Sequence, residues 1–514
     1  MISGDKLPYA VGAVVLAVAL FAIGPWPVGV FYDDGIYLIL GKALASGEGL
    51  RYLNLPGHPA ATHYPPGYPV LLALLWKLAP GFPGNVIVFK MANAILLAMA
   101  CGGLTHFAIT RLRLAPLAAA GAVLAFGVAI PVLSMTGVLF SEPLFLALLA
   151  PTLLVSERAV NDSDHAGHLI LAGALCGALT LVRTVGIATV VAVMLVLAVR
   201  RRRAQLLTFG TAAVTVLLPW QLWVTAHTSE VPAILEGSYG SYLGWFLDAF
   251  RERGAGFALD VAAYNAVEIG RPLGALFSPH GALPVRVIIT TVLLVVFAIG
   301  LARTARRAPV CAGFIGGYLG IVLLWPYIPD RFLWGVWPVL GIIVAAGTAV
   351  VVEARRTTVG WRVARVALLL MIAVCGASYA RYNVRGFAGR WWETAQRSSA
   401  DATAPLVRWT IANTRPGDVI AADGDPLVHL YTGRSVVPTI SWKASEYLEQ
   451  QQLSRATSNT RSIIEQFDVR YVLLGSRGSP AAAAVQSLTS STPPVLSLAR
   501  ALPEGGAVFT TTMP

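Results

Sequence analysis

Charge is what this sequence has least of. Of its 514 residues, 12% are Asp, Glu, Lys or Arg against 56% hydrophobic, and acids are the scarcer sign, 26 to 38. A soluble domain carries roughly 25% charged residues, so a freely soluble protein is excluded. Cysteine is also sparse. Cys101, Cys176, Cys311 and Cys375 each fall inside an apolar run without paired spacing, which excludes a disulfide framework and leaves them as small core residues. No glycine-rich phosphate loop follows a strand and opens a helix, which argues against an ATP-driven pump. There is no internal repeat, and the one biased tract, the alanine- and serine-rich stretch 479–492, reads as a flexible loop.

What is abundant is long apolar sequence. Runs of roughly 20 apolar residues are the length needed to cross a bilayer, and segments near 9–30, 86–110, 115–134, 139–155, 168–182, 184–199, 205–225, 286–302, 309–327, 332–352 and 363–380 qualify. The reading is therefore a polytopic α-helical membrane protein with about eleven transmembrane helices. The first run exceeds a signal-peptide core and lacks a small-residue cleavage site, so it is expected to be retained.

The net charge of +12 follows from topology rather than from nucleic-acid binding, because the arginines gather in short gaps between apolar runs. Arg111 and Arg113, Arg200 to Arg203, Arg303, Arg306 and Arg307, and Arg355, Arg356, Arg362 and Arg365 form these clusters. If each is cytoplasmic, the N-terminus lies inside and the C-terminus outside. That threading makes 64–79, YPPGYPVLLALLWKLA, an interfacial helix, consistent with its two prolines and Lys77. Residues 1–381 then form the membrane domain, with outer loops 31–85 and 226–285. Residues 382–514, where helix-like and strand-like patterns alternate, form a small extracytoplasmic α/β domain.

Under this topology the unexplained polar residues fall on one side. They are Asp33 and Asp34, His58 and His63, Glu142, Arg183, Asp330 and Arg331, with Glu236, Tyr239, Asp248, Glu268 and Arg271 in the second outer loop. Structural roles compete for several of them. Asp34 precedes GIYLILGKALA and reads as that helix's cap, and Glu142 equally suits a cap before Pro143. Arg183 and Arg331 suit ion pairs across helices, His63 suits an interfacial hydrogen bond, and Trp325, Trp334, Trp337, Trp391 and Trp392 suit an aromatic belt. Asp162 to Asp164 and Asp423 to Asp425 look like sugar-nucleotide motifs. The first lies in a loop too short for a nucleotide domain, and the second, before a proline, reads as a turn.

The ordered set DDGIYLILGKALASGEGL, HYPPGYP, SEPLF, LVRTVG, DRFLWGVWP and VHLYTGRSVVP resembles the C-type membrane glycosyltransferases of the protein O-mannosyltransferase and lipid A aminoarabinose transferase-like superfamily. That resemblance implies the C-type architecture and a polyprenyl-phosphate sugar donor. It matches Asp33 to the catalytic base, Glu142 to a second acid facing it, and Tyr37 to a tyrosine near the donor phosphate. Where the aminoarabinose branch has a phosphate-contacting lysine before the Pro-Pro pair, this chain has Tyr64 preceded by His63.

The chemistry favours the same residue types. A polyprenyl phosphate is already a good leaving group, so transfer needs a carboxylate to take the acceptor's proton and cations to hold the phosphate. Asp33 is the expected base, and Glu142 is expected to orient the acceptor or share the proton. Arg183 and Arg331 are the expected phosphate clamps, and Lys42 and Lys90 are lesser helpers, Lys90 snorkelling from its helix top. Single displacement by one base inverts the anomeric centre. The acceptor is a lipid, glycan or protein of the cell envelope; no metal ligand set is recognisable and metal dependence is left open. The rival reading is a lipid or sugar transporter, but transporters place polar groups near the bilayer midplane. The expected location is the cell (inner) membrane, with site and C-terminal domain extracytoplasmic.

Overall fold

The structure, a computed structural model, describes residues 5–512 except 162–164, 279–280, 355–357, 450–451, 476–477, 480 and 503–504. The DSD tract and Arg355 and Arg356 lie outside the described residues. The first half runs α1 (Leu7–Phe21), α2 (Asp33–Ser46), α3 (Gly67–Leu78), α4 (Val86–Thr110), α5 (Pro116–Gly127), α6 (Ile130–Gly137), α7 (Glu142–Asn161), α8 (Ala166–Val182), α9 (Ile187–Val199) and α10 (Arg203–His227). It continues with α11 (Glu236–Tyr239), α12 (Tyr242–Arg253), α13 (Gly256–Phe277), α14 (Leu283–Arg307), α15 (Pro309–Leu324), α16 (Asp330–Trp334), α17 (Trp337–Glu353) and α18 (Val359–Gly389).

Helices α4, α7, α10, α14 and α18 are each long and apolar enough to cross a membrane, and α5 with α6 forms a sixth candidate bent by 58°. The other expected spans coincide with the shorter apolar helices α1, α8, α9, α15 and α17. Helix α3 has 12 residues, a length of about 18 Å, which falls short of a hydrocarbon core of roughly 30 Å. The expected first span stops early: α1 ends at Phe21 because Pro25 and Pro27 cannot continue it. The freed carbonyls of Gly24 and Trp26 accept from Nζ of Lys90 at 3.0 and 2.7 Å. Lys90 is thus buried inside the bundle and does not snorkel.

The two ends of the bundle differ in chemistry. At one end Arg200 and Arg202 donate to the Val160 carbonyl at 2.5 and 2.9 Å, Arg307 donates to that of Leu112 at 2.5 Å, and Arg303 pairs with Glu353 at 2.9 Å. Cations there meet the carbonyl ends of helices, as the helix dipole favours. Glu157, just past the apolar run at 139–155, is buried within α7 and accepts from the Cys311 amide at 2.9 Å. Helix α7 runs from this end to Glu142, 20 residues or about 30 Å away. Close crossings hold the bundle: a Cβ on Gly347 of α17 would stand 2.0 Å from the Val296 carbonyl oxygen of α14. Small residues buy such close approach in membranes. All four cysteines are buried and free.

The C-terminal part packs α19 (Thr394–Asn413), α20 (Asp425–Thr432), α21 (Leu453–Gln466) and α22 (Ala482–Thr489) with a five-stranded sheet. Its strands are β1 (Val419–Ala422), β2 (Ser435–Pro438), β3 (Val469–Leu474), β4 (Leu496–Ala501) and β5 (Ala507–Thr511), in the order β2-β1-β3-β5-β4. The first three are parallel, joined through α20 and α21, and the last two antiparallel. The stretch read as a flexible loop is largely helix α22, because Ala484, Val485 and Leu488 recur at helical spacing and are buried. Trp337 and Trp392 are also buried, so they belong to the bundle's interior rather than to a belt.

Candidate active site

Four charged side chains from four elements meet at the end of the bundle remote from the arginine runs. Asp33 opens α2, Glu142 opens α7, Arg183 follows α8, and Arg331 lies in α16. Glu142 is 1% exposed; its Oε1 accepts from Nη1 of Arg183 at 2.6 Å and from Nε of Arg331 at 2.8 Å. Arg331 also donates through Nη1 to Asp33 Oδ2. The other Asp33 oxygen accepts from the Tyr64 hydroxyl at 2.6 Å. Arg331 therefore bridges both acids, and its guanidinium carbon lies 3.6 Å from the Phe140 ring centroid. Oε2 of Glu142 is buried with no hydrogen-bond partner among the described residues, which is an unusual state for a carboxylate.

Around these charges stands an aromatic wall. The Tyr37 hydroxyl lies 3.1 Å from Ser141 Oγ, which accepts from Arg183 at 3.1 Å. Tyr37 packs edge-on against Tyr64 and Tyr68. His63 directs Nδ1 at the Gly240 carbonyl and lies 3.9 Å from the Tyr242 ring. Burial pushes its imidazole below the ordinary range, so at pH 7 it carries no charge toward a phosphate. For Asp33, burial alone raises the carboxyl, but Arg331 and the Tyr64 hydroxyl outweigh it and hold it below the usual carboxylate range. Asp33 keeps 27% of its side-chain surface exposed and Arg331 keeps 23%, so both remain reachable.

Of the residues expected at the site, Asp33, Tyr37, His63, Tyr64, Glu142, Arg183 and Arg331 converge. Lys42 does not: it lies nine residues beyond Asp33 in α2, about 13 Å along the axis. Asp34 is not the cap of α2. It points back, accepting from the amides of Gly29 at 2.6 Å and Phe31 at 2.9 Å, and so braces the turn before the helix. Asp330 accepts from the amide of Arg331 at 2.6 Å. Tyr239 and Asp425 meet away from the four charges, while Asp423 and Gly424 form the expected turn. Glu268 pairs locally with Arg271 at 2.7 Å, as Asp248 does with Arg251 at 2.8 Å. Among the described residues no cluster of His, Cys, Asp and Glu is arranged to hold a metal.

The fold has known counterparts among solved structures. The chain superposes on ArnT from Cupriavidus metallidurans bound to undecaprenyl phosphate with a TM-score of 0.52 and 14% identity, covering 99% of this chain and 98% of that one. It superposes on the oligosaccharyltransferase AglB from Archaeoglobus fulgidus, in complex with an inhibitory peptide and a dolichol-phosphate, with a TM-score of 0.50 and 14% identity over 92% of this chain and 70% of that one. The chain has the C-type glycosyltransferase fold. No family model and no curated protein sequence matches it. Within this C-type fold, Phe140, Ser141 and Tyr242 are site residues the sequence reading missed. Phe140 and Ser141 directly precede Glu142, so adjacency was the one signal for them; Tyr242 had none.

Proposed function

We propose that the protein transfers a sugar from a polyprenyl-phosphate donor to an acceptor of the cell envelope, on the extracytoplasmic side of the cell membrane. The observation that carries this is Arg331 bridging Asp33 and Glu142 beside Arg183, at the end of the bundle opposite the arginine runs. The positive-inside rule makes the arginine end cytoplasmic, which puts the acids outside and the C-terminal part with them.

In this reading Asp33 is the general base. The acceptor's hydroxyl oxygen attacks the anomeric carbon, its proton passes to Asp33, and the bond from that carbon to the phosphate oxygen breaks with inversion. The leaving phosphate gains one negative charge in the same step. Protonation of Asp33 removes one of the two carboxylates that hold Arg331, so its guanidinium charge becomes available to the departing phosphate. Glu142, locked between two guanidiniums, keeps both aimed. Tyr37, Tyr64 and neutral His63 shape the pocket, and Tyr37 offers its hydroxyl to the donor.

The test is transfer by purified protein from polyprenyl-phosphate sugars. Asp33→Asn keeps size and the Tyr64 hydrogen bond and should abolish turnover; near-normal turnover would remove Asp33 from the role of base. Arg331→Ala should raise the donor KM more than the acceptor KM, and an unchanged donor dependence would remove it from the phosphate site.

A further inference from the structure

Asp33 is preceded by a residue in a conformation that side chains rarely adopt. Tyr32 has φ 67° and ψ −69°, and the Asp33 amide donates across it to the Phe31 carbonyl at 2.8 Å. This is the strained γ-turn, and in non-glycine residues such strain persists only where surrounding structure over-determines it. The orientation of the Asp33 carboxylate depends on that turn, so whatever holds the turn holds the base.

One brace is Asp34, through the amides of Gly29 and Phe31. The other comes from the C-terminal part. The Tyr32 ring stands edge-on to Tyr239, centroids 6.0 Å apart, and the Tyr239 hydroxyl donates to Asp425 Oδ2. Asn54 donates to both, at 2.6 Å to the Tyr239 oxygen and 3.1 Å to Asp425 Oδ2. Asn54, Tyr239 and Asp425 are fully buried, while Asp425 Oδ1 and the Tyr32 hydroxyl have no partner among the described residues. Backbone packing fixes the same junction. A Cβ on Gly35 would stand 2.6 Å from Pro426, and one on Gly29 (φ +89°) would stand 3.0 Å from the Leu427 Cα. The first turn of α20, which Asp425 opens, therefore abuts residues on both sides of Tyr32 and reaches Tyr32 itself through Tyr239.

We propose that Asp425, from the C-terminal part, is a positioning residue for Asp33, acting through Tyr239 and the strained turn at Tyr32. This rests on the reading of Asp33 as base. It assigns the C-terminal part a role in assembling the site, so displacement of α20 is felt at the reacting carboxylate.

The test uses the full-length protein in detergent, with Asp425→Leu, Asp425→Asn and Tyr239→Phe beside the parent and Asp33→Asn. Hydrogen exchange over residues 29–37 needs no donor. We expect exchange there at least tenfold faster in Asp425→Leu, and near-parental rates in Asp425→Asn, which keeps an acceptor for Tyr239. Faster exchange confined to 423–432 would overturn the proposal. With an active donor, misplacing the base by about 1 Å costs on the order of 100-fold in turnover, so kcat should fall 10- to 100-fold in Asp425→Leu with donor KM within about twofold. The charged and titratable groups around Asp33 are Arg331, His63, Asp34 and the tyrosines Tyr32, Tyr37, Tyr64, Tyr242 and Tyr327. A carboxylate drawn away from Arg331 loses acidity, so the acid limb of kcat/KM should move upward, which a simple loss of folded protein does not produce. An unmoved limb in an otherwise folded Asp425→Leu overturns the assignment. If that variant fails to fold, Tyr239→Phe, which keeps the ring and removes the hydroxyl, must show the same exchange and the same limb shift, and their absence overturns it. Full turnover in Asp33→Asn would instead defeat the reading of Asp33 while leaving the exchange result standing.

Discussion

Replacing Glu142 by glutamine separates stability from phosphate affinity. Glu142 Oε1 takes hydrogen bonds from Arg183 at 2.6 Å and Arg331 at 2.8 Å, and the carboxylate is 1% exposed against 10% for Arg183. At an effective dielectric of about 20, unit charges about 4 Å apart attract by roughly 4 kcal/mol, and removing one partner of a buried pair costs about 3–5 kcal/mol. Arg331 keeps Asp33 and is 23% exposed, so the lower end applies, about 3 kcal/mol. Arg183 bears most of it, left with Ser141 Oγ and the Phe332 ring. A loss of that size lowers the thermal midpoint of a 514-residue chain by roughly 3 °C, read by dispersity after heating in detergent. The four-residue cluster changes from neutral to singly positive, so affinity for undecaprenyl phosphate should rise while sugar turnover falls. An unchanged midpoint together with unchanged affinity would refute the claim that Glu142 holds the two guanidiniums.

Other perturbations probe other parts of the account. Burial pushes Asp34, in the first turn of α2, from its ordinary 3.8 up to about 6, so the folded state holds that proton more tightly than the unfolded chain. Its contribution is fully present below about pH 4 and lost as pH rises through 6, about 3 kcal/mol; Asp34→Asn should flatten the thermal midpoint between pH 4 and 7, and an unaltered slope would contradict this. Gly347→Leu places a side chain where even a Cβ would stand 2.0 Å from the Val296 carbonyl oxygen, and should cost at least about 3 kcal/mol or prevent accumulation of folded protein. A phosphatase reporter fused after Pro514 should be active outside the cytoplasm; activity of a cytoplasmic reporter at the same site would reverse the topology.

The apolar runs and the arginine gaps made most helix positions legible, because span length and charge bias are properties of contiguous sequence. Helix ends were less so: α1 stops at Phe21 although apolar residues continue, since prolines decide there and hydropathy does not register them. The charges of the site could be named because buried ionisable residues in an apolar chain are few. Their pairing could not, because Asp33 and Arg331 meet across 298 positions and only the fold brings them together. Asp34 illustrates the limit of local rules. An aspartate before a helix suggests a cap, yet the strained turn at Tyr32 points its carboxylate backward onto Gly29 and Phe31. Serine and alanine content suggests a loop over 479–492, whereas burial of Ala484, Val485 and Leu488 makes α22 helical.

We propose sugar transfer by this C-type fold with Asp33 as its base. The direct measurement is transfer by purified full-length protein from a panel of polyprenyl-phosphate sugars, run beside Asp33→Asn. The account predicts turnover with at least one donor and its disappearance in the variant, at equal folded protein. Equal turnover in both would contradict the mechanism, and lipid translocation without turnover from any donor would contradict the class.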